Sequence, residues 1–433
     1  MRKLLMPVLL VTLVAACGGD SPGGNDQSTT ITAAPTTAQD GTPESTTVDV
    51  PDNTEATVAP EGTTTSEEAA TPTTDTSTST TTDPAGTTDT TVEPTTTTVE
   101  PTTTTSSTTT TIPEPDLPPS PLTGLGVEDP ELLNRRTMAV KVDNHWDARP
   151  QAGIGEAEAV VELLVESGIT RFMALFHTVD SSAVGPVRSV RPTDPHLLRH
   201  FNATLLTSGG QNWILRMFPR NGVGVIGEIG VGGYRDDSRS APHDYIVNTA
   251  EFRAVADQRL YPDTAPPPLF EFGDLPSDAI LGAVSRVQME WAADNVISWR
   301  WNGTQWERHL EDGPHYWIPS GGEEGTAAVG SDEEASPAQE VRKIITADTL
   351  VVLFSRLFYA RPPEGGGYAL PTMETTGGGR ALLFSQGQVV EGRWEREGTT
   401  QPFALSLEDG SPITVPPGRP WLSLFPEGRP VTW

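Results

Sequence analysis

Two arginines between two prolines are the side chains in this chain best suited to hold an anion. Arg188 and Arg191 lie three residues apart, and in extended polyproline-like backbone three residues make one turn, so both guanidinium groups would share one side. A helix predicted from Pro195 to about Phe201 would bring a helix N-terminus nearby, which favours negative charge. These features predict a phosphate or carboxylate site. The alternative is that both arginines pair with acidic side chains of the same domain: Asp143, Glu162 or Glu166.

Asp143 and Asn144 directly follow a predicted strand over residues 138–142. In open α/β sheets, ligands bind beyond the carboxyl ends of the strands. The pair is therefore predicted to contribute to ligand binding, and Asp143 is a candidate general base, metal ligand or arginine partner. A plain Asx turn would require none of these roles.

Glu162 and Glu166 lie four residues apart in a predicted strand, so they are expected to share one face. Paired carboxylates can perform acid–base catalysis, which makes Glu162 a catalytic candidate. An ion pair with an arginine is the alternative interpretation.

Three histidines deserve comparison. His243 lies in the loop Ser-Ala-Pro-His-Asp, where it is a candidate general base or a residue that packs the loop. His196 and His200 have the i, i+4 spacing of a metal-binding helix face, but no clear third ligand lies near them in sequence. We therefore predict no metal and no cofactor.

Two motif matches are weak. Residues 222–227 fit G-x-G-x-x-G, yet they follow a predicted helix instead of preceding one, which is the wrong context for a dinucleotide. Ser208 follows a predicted strand, but the full G-x-S-x-G pattern of a nucleophile elbow is absent. A hydrolase that uses Ser208, His243 and an aspartate is a minor alternative.

The elements that would position these residues alternate between strands and short helices over residues 118–264, which predicts an α/β or α+β domain. Residues 265–290 form a proline-rich crossover. Residues 291–433 are predicted to form a smaller, mainly-β domain with turns at Asn302-Gly303 and Gln386-Gly387. Its tryptophans either line a groove or form an aromatic core, and the core is the more common arrangement. They include Trp291, Trp299, Trp301 and Trp306.

The first 117 residues indicate export. A basic start, a thirteen-residue apolar run and Ala-Ala-Cys predict a signal peptide over residues 1–17 that is cleaved before Cys17. Cys17 would carry lipid and anchor the chain to the outer face of the cell membrane. Residues 18–117 are predicted to be a disordered linker, because residues 21–117 contain 37 threonines and almost no large apolar side chains.

Charge and cysteine content exclude several classes of protein. Residues 135–433 carry 38 acidic and 26 basic side chains, and this acidic balance, together with export, argues against nucleic-acid binding. Cys17 is the sole cysteine, so the domains contain no disulfide, no cysteine-bound zinc and no thiol nucleophile.

Several segments together resemble the bacterial DUF3048 family, the YerB-like lipoproteins. The segments are residues 139–144, 149–154, 166–172, 185–192 and 241–243, with residues 392–394 and 417–421 in the second domain. The resemblance implies a two-domain exported lipoprotein and implies no activity. We therefore expect a membrane-anchored envelope protein that binds an anionic envelope ligand, such as a wall polymer or a lipid-linked precursor, or a protein partner. The alternatives are an envelope hydrolase or transferase and a scaffold for other proteins, and whether the chain is an enzyme stays open.

Overall fold

A computed structural model describes residues 117–227, 232–321 and 341–433 of the chain. Cys17, the predicted signal peptide and the predicted linker up to residue 116 lie outside the described residues. Within these three ranges, every helix is too short or too polar to cross a membrane.

Strands dominate the described residues. Those before residue 264 are β1 (Met138–Asp143), β2 (Gln151–Ala152), β3 (Ala159–Leu164), β4 (Thr170–Phe176), β5 (Thr204–Thr207), β6 (Gly224–Gly227), β7 (Gly233–Arg235) and β8 (Tyr245–Val247). Those after it are β9 (Ile280–Ala283), β10 (Arg286–Ala292), β11 (Asn295–Trp301), β12 (Trp306–Leu310), β13 (Gly313–Pro314), β14 (Tyr316–Ile318), β15 (Lys343–Ile344), β16 (Thr346–Ala347), β17 (Thr349–Ser355), β18 (Leu357–Ala360), β19 (Leu370–Met373), β20 (Gly377–Ser385), β21 (Gln388–Arg396), β22 (Ala404–Ser406), β23 (Pro420–Pro426) and β24 (Val431–Thr432).

The helices are few and mostly short. They are α1 (Asp194–Leu198), α2 (Asn212–Leu215), α3 (Met217–Arg220) and α4 (Thr249–Gln258). Single 3-10 turns lie at Pro130–Asn134, Trp146–Ala148, Ile154–Glu156, Glu166–Gly168 and Ser277–Ala279. The predicted α/β character of the first domain is therefore realised as a sheet with few helices.

One mixed sheet spans most of the described chain. Its order is β22-β21-β20-β17-β23-β3-β4-β1-β5-β6, and β9 also pairs with β21. Strand β23, close to the C-terminus, pairs in parallel with both β17 and β3. Strands from both sides of residues 265–290 therefore pair directly, and the predicted domain limits at those residues stay a prediction.

Two hydrophobic cores cover the two faces of this sheet, because side chains alternate along each strand. On β1, Val140 belongs to one core and Ala139 to the other. The first core includes side chains of α4 and of another sheet, whose order is β13-β12-β11-β10-β24. The second core includes side chains of α1, α2 and α3.

Several predicted elements are confirmed. The strand predicted over residues 138–142 is β1, and the strands predicted around Glu162 and before Ser208 are β3 and β5. The turn at Gln386-Gly387 has φ values of 53° and 70°, as a type I′ hairpin turn requires at both central positions. Trp299 and Trp306 are completely buried, so these two tryptophans form core.

Candidate functional site

The segments that resemble the family converge at the carboxyl end of β1. The chain after Gly185 runs alongside β1, with an isolated bridge between Val187 and Val142, and the Arg188 amide donates to the Lys141 carbonyl oxygen. A loop ending at His243 reaches the same place, because Arg239 fastens it to the carbonyl oxygens of Ala148 and Pro150. Two segments distant in sequence, one after Gly185 and one ending at His243, thus lie beside the end of β1.

Asp143 is the centre of this site and is 1% exposed. Its Oδ2 lies 2.6 Å from Nδ1 of His243 and 3.1 Å from Nε of Arg188. Its Oδ1 accepts the backbone N–H of His145 at 3.2 Å. Because a carboxylate only accepts hydrogen bonds, the His243 proton belongs on Nδ1, and a neutral ring then carries its free lone pair on Nε2.

His145 is part of the site, and the sequence analysis missed it. Its ring stacks on His243 with centroids 4.6 Å apart and planes 11° apart, and it also contacts the ring of Trp146. Trp146 is 64% exposed. The available signal was position, since His145 follows the Asp143-Asn144 strand end directly.

The two arginines do not act as one pair. Arg188 contacts Asp143, and its Nη1 reaches the Pro242 carbonyl oxygen only at 3.4 Å. Arg191 donates from Nε to Glu166 at 2.6 Å and from Nη1 to the Val190 carbonyl oxygen at 2.8 Å. The carboxylate-pairing alternative describes both contacts.

The helix that was expected to favour an anion is short, and the carboxylate of Asp194 already lies at its start. Helix α1 has five residues, fewer than predicted. The carboxylate of Asp194 accepts from the backbone N–H of Arg191 and from the ammonium group of Lys141. Lys141 is completely buried, and burial lowers its pKa while Asp194 raises it.

Arg171 is a further cation at this site. Strand pairing places it directly opposite Asp143, and it is 5% exposed. It donates from Nη1 to the Ser189 carbonyl oxygen at 2.6 Å, whereas its Nε has no partner among the described residues. Burial, and next the charge of Arg191, lowers its pKa to about 10, so it remains charged at neutral pH.

Glu162 lies in the core and does not share a site with Glu166. It is completely buried and accepts three hydrogen bonds, which come from Thr170, Arg308 and Trp421. The expected pair of carboxylates is not formed, because Glu166 lies beyond the end of β3 in a 3-10 turn and contacts Arg191.

A ring of buried hydrogen bonds connects Glu162 to the strand end. The guanidinium of Arg308 bridges Glu162 and Nδ1 of His315, and His315 Nε2 lies 2.9 Å from Gln151 Oε1. Gln151 donates to Asn144 Oδ1, and Asn144 donates to Thr170, which donates to Glu162. Burial and the charges of Arg308 and Arg149 hold the pKa of His315 well below 6.5. Asn144 thus supports the site from within the core.

The other sequence candidates lie apart from this site or lack the contacts their roles need. Both ring nitrogens of His200 face backbone carbonyl oxygens, which leaves neither directed at a metal. Gly222 ends the turn after α3, and β6 contains Gly224–Gly227, so the glycines lead into a strand. In the described part of the chain, Ser208 makes no hydrogen bond to His243.

His145, Asp147 and His243 bring ligand atoms within 4.8 Å of one another, which is close enough for a metal ion. The ring geometry argues against it. A metal binds in the plane of an imidazole ring, and two stacked rings only 11° from parallel cannot both direct an in-plane lone pair at one ion.

A cavity of about 600 Å³ opens beside His145. One wall comes from the segment after β1 and includes Trp146 and Arg149, and the other comes from residues 294–297 and 310–312. A smaller cavity of about 260 Å³ shares Arg149, Leu310 and Asp312 with it. The size of the larger cavity is typical of small-molecule sites.

The chain is a predominantly β protein in which a buried aspartate, a histidine and an arginine meet at the end of one strand. The chain belongs to the DUF3048 family: residues 122–262 match its N-terminal domain and residues 287–422 its C-terminal domain, both described as a protein of unknown function. It is 25% identical to the "Putative lipoprotein YerB" of Bacillus subtilis (strain 168) over 314 residues, which cover 71% of this chain and 86% of that protein. The crystal structure of YerB from Bacillus subtilis shares the fold, with a TM-score of 0.58 at 21% identity, and it covers 73% of this chain and 100% of that one.

Proposed function

We propose that this protein is an exported lipoprotein, anchored through Cys17 to the outer face of the cell membrane, that binds an anionic envelope ligand beside Arg188. The signal-like start of the sequence supports the anchor, as does its similarity to a protein described as a putative lipoprotein. Two acyl chains or more on Cys17 would provide a stable attachment.

A surplus of positive charge around Asp143 supports the anionic ligand. Three ion pairs lie here, Lys141 with Asp194, Arg191 with Glu166, and Arg188 with Asp143. A fourth cation, Arg171, forms no close ion pair among the described residues, and its guanidinium hydrogen-bonds the carbonyl oxygen of Ser189. Four cations against three carboxylates leave one positive charge without a counter-charge, and a bound anion would supply it.

Arg188 is the residue best placed to contact the ligand. Its side chain is 22% exposed, against 13% for Arg191. The Nε of Arg188 faces Asp143, and its Nη2 makes no hydrogen bond among the described residues. The outer edge of the guanidinium can therefore donate hydrogen bonds to a phosphate or carboxylate. In this proposal Arg188 contacts the ligand, and the second positive charge comes from the buried Arg171 instead of from Arg191.

Equilibrium binding of inorganic phosphate and of a glycerol-phosphate polymer tests this proposal. Arg188→Gln removes the charge at the site, and we expect the affinity to fall by about tenfold or more. Arg216→Gln is the matched control, because Arg216 is exposed and pairs with Glu364 away from Asp143. Equal losses in both variants would indicate nonspecific attraction, and either that result or a lack of binding to the wild type would contradict the proposal.

The hydrolase or transferase alternative has one specific observation in its favour. Asp143 fixes the His243 tautomer and leaves Nε2 free, as a general base requires. Its test is the hydrolysis of p-nitrophenyl acetate and bis(p-nitrophenyl) phosphate by the wild type and by His243→Gln. Turnover that is lost in the variant would favour the enzyme, and equal rates in the two proteins would exclude His243 as its base.

A further inference from the structure

The cavity beside His145 is lined by charged side chains of both signs that form no close ion pair with one another. Arg149 lies on one wall, and Asp294, Glu311 and Asp312 lie on the other. No ion pair within 4.0 Å joins Arg149 to any carboxylate of the described chain. The walls come from the two segments that match the family's N-terminal and C-terminal domains, so the cavity forms where the two segments meet.

Arg149 is held in place and still has a donor to offer. Its Nε and Nη2 donate to the side-chain and backbone oxygens of Asn144 at 3.2 and 2.9 Å. Nη1 has no hydrogen-bond partner among the described residues. Asn144 itself belongs to the buried ring through Gln151 and Thr170. The guanidinium is therefore preorganised to donate hydrogen bonds to an anionic group in the cavity.

The opposite wall is suited to a cation. Asp294, Glu311 and Asp312 make no ion pair or side-chain hydrogen bond with the described residues, and together with Arg149 they give the cavity a net charge of −2 (three acids minus one base). A purely anionic ligand would be repelled by this wall, and a purely cationic one would place no anion against Arg149. Apolar side chains and the exposed ring of Trp146 complete the lining.

We propose that this cavity binds a zwitterionic ligand, a free amino acid or short peptide whose carboxylate contacts Arg149 and whose ammonium group faces Asp294, Glu311 and Asp312. The inference deepens the proposed function and rests on it, since His145 on the cavity wall stacks on His243 of the Asp143 site. An anionic group elsewhere on the same ligand would then reach Arg188.

Isothermal titration calorimetry of the full chain with triglycine and its blocked forms tests the ligand class. Unmodified triglycine should bind, and N-acetylation or C-terminal amidation should each weaken binding by about tenfold or more. Glycine, diglycine and tetraglycine vary the distance between the two charges and should differ in affinity. No binding of any peptide, or equal binding of free and doubly blocked triglycine, would overturn the proposal.

Two variants assign the two ends of the ligand. Asp312→Asn should weaken binding of triglycine and leave N-acetyl-triglycine unaffected, and Arg149→Lys should weaken binding of triglycine but not of its amide. The matched controls are Asp278→Asn, which alters an exposed aspartate outside the cavity, and Arg216→Lys. Phosphate binding that depends on Arg188, without any peptide binding, would overturn this inference alone, whereas loss of both would overturn the proposed function as well.

Discussion

Removal of the buried Arg308 guanidinium should destabilise the whole described fold. Glu162 and Arg308 are both completely buried, and Arg308 Nη2 lies 2.8 Å from Glu162 Oε1. Glu162 belongs to the segment that matches the family's N-terminal domain, and Arg308 to the one that matches its C-terminal domain. Arg308→Met keeps most of the apolar side chain but leaves the Glu162 carboxylate without a counter-charge and His315 Nδ1 without a donor. Loss of one partner of a buried pair costs about 3–5 kcal/mol. That is a large part of a typical unfolding free energy of about 5–15 kcal/mol.

Urea unfolding followed by tryptophan fluorescence measures this loss, since Trp299 and Trp421 lie in the same core. The double variant Glu162→Gln/Arg308→Met removes both charges, so its loss should fall below the sum of the single losses by about 2 kcal/mol. Arg300→Met on the neighbouring strand is the control, because Arg300 is exposed, and it should change stability by less than about 0.5 kcal/mol. A loss below about 1 kcal/mol for Arg308→Met, or two separate transitions of which only one shifts, would refute the reasoning.

Three further predictions concern His315, Arg191 and Cys17. The folded-state pKa of His315 lies well below 6.5, so on acidification the unfolded chain takes up the proton before the folded one does. The unfolding free energy should therefore be constant above about pH 7.5 and should fall by about 1.4 kcal/mol between pH 7.5 and 5.5. Urea titrations should show a smaller drop for His315→Gln than for the wild type, and equal drops would contradict the buried neutral ring. Arg191→Lys should lower the unfolding free energy by about 1–3 kcal/mol with little effect on phosphate affinity; the reverse outcome would return Arg191 to the ligand site. Cys17→Ser should release the protein from membranes or block its processing, and fractionation that finds it as membrane-bound as the wild type would exclude the lipid anchor.

Local patterns in the sequence located some of the strands and turns of this fold. The hairpin between β11 and β12 follows from Asn302-Gly303, and β1 follows from its apolar run before Asp143. Helix α1 was predicted to run to about Phe201, and it ends at Leu198. The single helix predicted before Gly222 is divided into two short helices, α2 and α3.

Pairings between distant segments could not be derived in this way. Strand β23 has the apolar content of a buried strand, but nothing in its residues specifies β3 and β17 as its neighbours. Glu162 and Arg308 are 146 residues apart, so their contact depends on the assembled sheet. Asp143 could be named because it closes a strand, and Arg188 because it lies three residues from a second arginine between two prolines. His243 could be named from its loop Ser-Ala-Pro-His-Asp. The contribution of Arg171 depends on its register opposite Asp143.

The location of a bound anion tests the central claim most directly. Crystals soaked in tungstate, which resembles phosphate in shape and charge, would show the metal atom in an anomalous difference map. We predict a peak within hydrogen-bonding reach of the terminal nitrogens of Arg188, next to Asp143 and His243, and no such peak in crystals of Arg188→Gln. Peaks only at exposed arginines such as Arg216, with none beside Arg188, would contradict the account.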